Sequence, residues 1–212
     1  MEDALRARRF LLFLAVGLLG ALALAGRETL VILDGFTPNP PKKMEKGLEV
    51  QGLGYHLRNS DLDVTVQPLF LPEIGRYFSE RGLKNPFYDI PREMNYFFFK
   101  VRLENLSKSE TLEFLPTNAV MESCMAKDES SVYQTFYKFE DGEERLAVLG
   151  KTLFLKPLML PPGQWIERLL FFEYDDNFSA HRMTLVLANM AVGRNQYELQ
   201  FPYRAKYTKE KR

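Results

Sequence analysis

Period-two alternation runs through much of the chain. Leu62, Val64 and Val66 alternate with Asp63, Thr65 and Gln67, which predicts a strand with one buried face. Tyr96-Phe97-Phe98-Phe99 opens as a continuous aromatic run. It then alternates, with Phe99, Val101 and Leu103 against Lys100, Arg102 and Glu104. Such a segment predicts a strand covered on both faces at one end and on one face at the other, as at the centre of a sandwich. Gln164–Tyr174 predicts a second central strand, opened by the turn Pro161-Pro162-Gly163. Val132–Phe139 also reads as a strand, with Tyr133, Thr135, Tyr137 and Phe139 opposed to Val132, Gln134, Phe136 and Lys138. Shorter extended stretches are expected around Leu48–Leu53, at Thr111–Met121 (broken at Pro116) and at Leu153–Leu160 (broken at Pro157). In the first of these, Gly52 and Gly54 mark bulges or close backbone approaches. A final pair, Met183–Leu187 and Gln196–Tyr203, flanks Gly193-Arg194-Asn195.

Two segments carry helical spacing instead. Within Pro72–Gly82, Ile74, Tyr77 and Phe78 recur at i, i+3 and i+4, and Gly82 supplies a stop. Glu143–Leu149 predicts a second short helix, with Asp141 as its candidate cap. Turn signals fall about every ten residues, the rhythm of an all-β sandwich.

The N-terminus follows a different pattern. Arg6, Arg8 and Arg9 precede Phe10–Gly26, 17 residues without a charged or polar side chain. A basic start, an apolar run and small residues at its end form a secretory signal, and Ala23-Leu24-Ala25 offers an A-x-A cleavage site. The run is also long enough, at the lower limit, to span a bilayer as an uncleaved anchor helix. Both readings place the arginines on the cytoplasmic side and the bulk beyond the membrane. A lipid anchor would need a Cys after the run, and the single cysteine is Cys124. One cysteine also forbids an intramolecular disulfide, so the core alone must hold the fold. Thr29–Leu33 continues a membrane-proximal helix or begins a strand. Thr37–Lys43, rich in proline, predicts an extended spacer. The expected organisation is therefore 1–26 signal peptide or anchor, 27–43 linker, 44–207 β-sandwich domain and 208–212 basic, frayed tail.

From Tyr96 onward the features have a recognisable order. A strand ends in Val101-Arg102-Leu103-Glu104-Asn105 and is followed by a polar turn beginning Leu106-Ser107. Leu160-Pro161-Pro162-Gly163-Gln164 then leads into Leu169-Leu170-Phe171-Phe172, and Leu185-Val186-Leu187 and Tyr197-Glu198-Leu199 close the chain. This order resembles the immunoglobulin-like domains of bacterial envelope proteins of unknown function. The resemblance implies an immunoglobulin-like antiparallel β-sandwich, here with two short helical inserts and an N-terminal hydrophobic helix, and an envelope location. It carries no catalytic residues, and fold alone does not imply function.

Charge narrows the partners. Lys plus Arg and Asp plus Glu each number 28, so the chain as a whole has no basic footprint for nucleic acid. His56 and His181 each lack a second ligand at metal spacing on their own segment, and Gly-x-Ser-x-Gly does not occur. Gly52-Leu53-Gly54 lacks the third glycine and the lysine of a phosphate loop. Asp175-Asp176-Asn177 could ligate calcium but is also ordinary turn sequence. No catalytic, cofactor or metal residues are therefore expected. The notable excess is aromatic, with 17 Phe and 10 Tyr. Phe87, Tyr88, Tyr133, Phe136, Tyr137, Trp165 and Phe178 either fill the core under the helices and long loops or, where several face solvent together, form a binding patch, for which Phe87, Tyr88, Tyr133, Tyr137 and Phe178 are the candidates. The expected function is a non-catalytic, extracytoplasmic protein-interaction module with an envelope protein as partner, and contact with membrane through residues 10–26 if these are retained. The alternative is a periplasmic carrier of a small ligand or metal ion.

Overall fold

A computed structural model of the chain describes residues 29–91, 94–174 and 180–211. The chain divides into two compact units, Ile32–Thr208 and a unit formed by Met1–Val31 with Lys209–Arg212. Of the latter, only the backbone of 29–31 and 209–211 is described, as strand. The elements run β1 (Thr29–Pro38), β2 (Leu48–Gln51), β3 (Gly54–Arg58), β4 (Leu62–Leu69), α1 (Leu71–Ser79), β5 (Tyr96–Asn105), β6 (Leu112–Phe114), β7 (Ala119–Met121) and β8 (Cys124–Met125). They continue with α2 (Glu129–Phe136), α3 (Gly142–Thr152), β9 (Leu158–Leu160), β10 (Trp165–Glu173), β11 (Arg182–Val192) and β12 (Asn195–Lys211). Two antiparallel sheets result. One has the order β10-β5-β4-β3-β2; the other runs β1-β12-β11-β6-β9, with β7 and β8 continuing beside β11.

Alternation along β5 and β10 sorts the core into two layers. Phe97, Phe99, Val101 and Leu103, with Leu170 and Phe172, face the second sheet and pack with Leu185, Leu187, Leu199 and Phe201. Their neighbours Tyr96, Phe98, Leu169 and Phe171 point the other way, into a second cluster with Ile74 and Phe78 of α1, Val132 and Phe136 of α2, and Leu149 of α3. The aromatic run at the start of β5 is thus apolar on both sides because one end of its sheet lies between a sheet and a helical layer. The other end of that face, where Lys100, Arg102 and Glu104 project, is open.

Local chemistry explains the helices. In α1 the Glu73 carboxylate accepts from the Phe70 backbone N–H at 3.1 Å, and Ile74, Tyr77 and Phe78 form the buried face. In α2 the Asp128 carboxylate accepts from Ser131 N–H at 2.8 Å, while Val132 and Phe136, one turn apart, are buried. Val132–Phe139, expected as a strand, is therefore mostly helix. A four-residue apolar spacing satisfies both a two-residue and a 3.6-residue period, and the cap decides between them.

Other expectations are corrected at the edges. Thr29–Pro38, placed largely in the linker, is strand β1, and its Leu33 and Phe36 enter the core. β12 continues through Lys211 where a frayed tail was expected. β10 is not central but ends its sheet order. Its outer side is covered by backbone donors, Phe154 N–H to Leu169 O at 2.9 Å and Lys127 N–H to Phe171 O at 2.8 Å. Gly54 does mark a close approach, since a Cβ there would lie 2.0 Å from Val66 O. Gly52 instead turns the β2–β3 hairpin with φ +60°.

The motif pair behind the family resemblance meets in space. Asn105, fully buried, donates through Nδ2 to Glu110 O at 2.8 Å and to Leu160 O at 2.9 Å, and accepts through Oδ1 from Ser107 N–H at 3.0 Å. Gly163 N–H donates to Asn105 O at 2.9 Å. One residue at the end of β5 thereby fixes the polar turn and β9 of the opposite sheet through its side chain, and the Pro-Pro-Gly turn through its backbone carbonyl.

Tyr203 is the exception to polar satisfaction. It is fully buried beside Tyr55, Phe36 and Phe99, and its hydroxyl has no hydrogen-bond partner among the described residues. Burial drives its phenol far above the ordinary range. A buried hydroxyl without a partner costs about 1–3 kcal/mol, so Tyr203→Phe is expected to leave the domain as stable as before or more stable by about 1 kcal/mol. Thermal unfolding checks this; a clear fall in Tm would show that the hydroxyl is satisfied in solution.

Candidate interaction surface

The helical layer carries the exposed tyrosines. Tyr133 on the outer side of α2 and Tyr137 at its C-cap lie one turn apart, 55% and 48% exposed. Their rings stack with centroids 5.4 Å apart and an 8° interplanar angle, and Lys138 Nζ lies 5.5 Å from the Tyr137 ring. The opposite side of α2 is locked into the core by Val132 and Phe136. The stacked pair is therefore held by a fixed helix rather than by a loop.

Tyr88 is also exposed and covers a buried cation. Arg145 of α3 has a side chain 3% exposed. It donates to both oxygens of Asp89 at 2.6 and 2.8 Å, to Asp141 Oδ1 at 2.6 Å and to Pro86 O at 2.7 Å. The Tyr88 and Phe139 rings lie 4.5 and 4.4 Å from its guanidinium carbon. Asp141 is the N-cap residue of α3, as expected, but its carboxylate goes to Arg145 and, at 3.1 Å, to Lys84 rather than to the helix backbone. Arg145 holds the Asp89 and Asp141 carboxyls below the usual carboxylate range through these hydrogen bonds. The hub fixes the loop that presents Tyr88.

Phe87 is corrected as a patch residue: it is 3% exposed and packs edge-on against Phe98, Phe136 and Phe171. Phe136 is buried likewise. Phe178, Asp175-Asp176-Asn177, the cleavage-site residues Ala23 and Ala25 and the whole of Phe10–Gly26 lie outside the described residues. Among the described residues no helix is long and apolar enough to cross a membrane.

A second exposed region is the open half of the five-stranded sheet. The register sets Glu49, His56, Thr65, Arg102 and Glu167 side by side across five strands, with Arg58, Asp63, Glu104 and Trp165 in the adjoining row. Trp165, 60% exposed, has the Arg102 guanidinium carbon 5.0 Å from its ring. Asp63 is nearly buried and receives Arg58 Nη1 at 2.8 Å, with Arg102 Nη1 at 3.8 Å. Arg81, at the end of α1, pairs with Glu167 and covers the Tyr77 ring at 3.7 Å.

His56 stands between two carboxylates, Glu49 and Asp63, which its own segment did not reveal. The signal lay in the spacing, seven residues to either side across two hairpin turns. His181 is exposed near the Tyr207 ring. Among the described residues no three His, Cys, Asp or Glu side chains converge as a metal site requires. An open cleft of about 470 Å³ lies beside buried Cys124, with Lys127 Nζ 2.5 Å from Glu173 Oε2 at its wall. The chain matches no family model, no curated protein and no solved structure.

Proposed function

We propose that this chain is a non-catalytic, immunoglobulin-like interaction module that works outside the cytoplasm, delivered by its Phe10–Gly26 segment, and that it binds a protein of a cell-envelope assembly. The observation that carries the reading is the stacked Tyr133–Tyr137 pair, about half exposed on a helix whose other side is core. Tyrosines supply large, amphipathic contact area at low entropic cost, and interface hot spots are enriched in them. Rigid support lowers the ordering cost of binding. The double variant Tyr133→Ala/Tyr137→Ala should keep its Tm and lose a partner that the unaltered chain retains when purified from membranes in mild detergent. Equal recovery of the same proteins by both would remove the tyrosines from the interface. A stoichiometric small molecule or metal ion found by native mass spectrometry would replace this reading with that of a ligand carrier, for which the cleft beside Cys124 offers room.

A further inference from the structure

Three adjacent strands place one imidazole between two carboxylates. His56 Nδ1 on β3 lies 2.9 Å from Glu49 Oε1 on β2, and His56 Nε2 lies 2.9 Å from Asp63 Oδ1 on β4. A neutral imidazole has one N–H and one lone pair, so it can donate to only one of them and turns a lone pair toward the other. Only the imidazolium donates to both.

The surroundings decide which contact fails on deprotonation. Asp63 is nearly buried and is also held by Arg58 of β3 and Arg102 of β5, while Arg102 in turn reaches Glu104 at 2.6 Å. Thr65, uncharged, stands opposite His56 on β4. Glu49 is 66% exposed at its side chain and has no second ion-pair partner among the described residues. The proton of the neutral ring therefore goes to buried Asp63, and Glu49 is released. Glu49 belongs to β2, the four-residue strand at the end of its sheet order, joined only to β3.

We propose that His56 is a pH-operated clip: protonated, it ties the edge strand β2 across β3 to β4; neutral, it lets β2 loosen. The hydrogen bond to Glu49 raises the His56 pKa above its ordinary 6.5, aided by Asp63 and opposed by partial burial. A raised folded value means that the clip's contribution is complete below about 6.5 and is lost as pH climbs through the folded pKa. An edge strand is where another chain's strand would add, so the clip sets the order of that edge by pH.

The test uses the full-length chain in detergent micelles. With two histidines in the sequence, the imidazole NMR signals are assigned by His56→Gln and titrated from acid to mildly alkaline pH. Amide exchange of residues 48–51, normalised to intrinsic rates, is followed over the same range. His56 should titrate above 6.5, and Glu49→Gln, an exposed change, should lower that value. Protection of β2 should fall several-fold through the titration in the unaltered chain and stay flat in His56→Gln. A His56 pKa at or below 6.5, or the same pH-dependent loss of β2 protection in His56→Gln, would overturn the proposal. If His56→Gln does not fold, Glu49→Gln carries the same decision: an unchanged His56 pKa would refute the clip.

Discussion

Arg145→Ala is expected to destabilise the domain by about 2–4 kcal/mol. The guanidinium is buried, and its donors are spent on Asp89, Asp141 and the Pro86 carbonyl. Removing one partner of such a pair leaves the others uncompensated, which ordinarily costs about 3–5 kcal/mol. Here Asp89 and Asp141 are 40% and 22% exposed and can rehydrate, which lowers the figure. The Pro86 carbonyl, bonded to Arg145 inside the domain, recovers less. Arg145→Lys should restore little, because an ammonium cannot span both Asp89 oxygens or stack between Tyr88 and Phe139. The denaturation midpoint at constant slope measures both variants. The sign with pH follows from the depressed carboxyls. Their contribution is present above the ordinary carboxyl value of 3.8 and disappears as pH falls through the lower folded values. The gap between Arg145→Ala and the unaltered chain should therefore narrow in acid. An alanine variant within about 0.5 kcal/mol of the unaltered chain, the range of an ordinary surface change, would mean that the hub positions Tyr88 without stabilising the fold.

Arg145 also marks where reading the sequence stops. Its position on a helix was legible, since Glu143–Leu149 carries apolar residues at helical spacing and Asp141-Gly142 precedes it. Its partner Asp89 lies 56 residues away in a loop, and nothing local pairs them. The same limit applies to His56. The strands that carry Glu49 and Asp63 show in the alternation, but β3, which carries His56, merges into the stretch before it, and the contact needs the register of three strands at once. Phe87 and Tyr88 are neighbours in an aromatic loop with opposite fates, one in the core and one in solvent. Composition gives both the same weight; only the placement of Phe136 and Phe171 against Phe87 separates them. β1 is open between helix and strand at Thr29–Leu33, and its continuation escapes because Pro38 and its successors suggest a linker, although proline is tolerated at the end of a strand at a sheet edge.

The double-sided character of β5 and β10 was legible, and it leads to the largest expected effect. Phe171 and Phe172 are consecutive on β10, both buried, and they serve different layers. Phe172 stacks on Phe97, with centroids 5.0 Å apart at 4°, between the two sheets. Phe171 stacks on Phe98 at 5.2 Å under the helices and meets Tyr96 and Phe87 edge-on at 4.9 and 5.5 Å. Truncation of either to alanine removes a buried ring from a close-packed site, at a cost of about 3–5 kcal/mol. Similar totals should hide different distributions. Phe172→Ala strikes the joint between the sheets, on which β4, β5, β11 and β12 all depend, so amide exchange should accelerate throughout Ile32–Thr208. Phe171→Ala removes the floor beneath α1 and α2. Exchange should accelerate first at Ile74–Phe78 and Val132–Phe136, with β11 and β12 retaining more of their protection. Loss of the stacked Tyr133–Tyr137 platform should follow Phe171→Ala first, because Val132 and Phe136 seat α2 in that cluster. Identical exchange patterns in the two variants would show that sheets and helices melt as one cooperative unit, and that the helical layer has no stability of its own to lose.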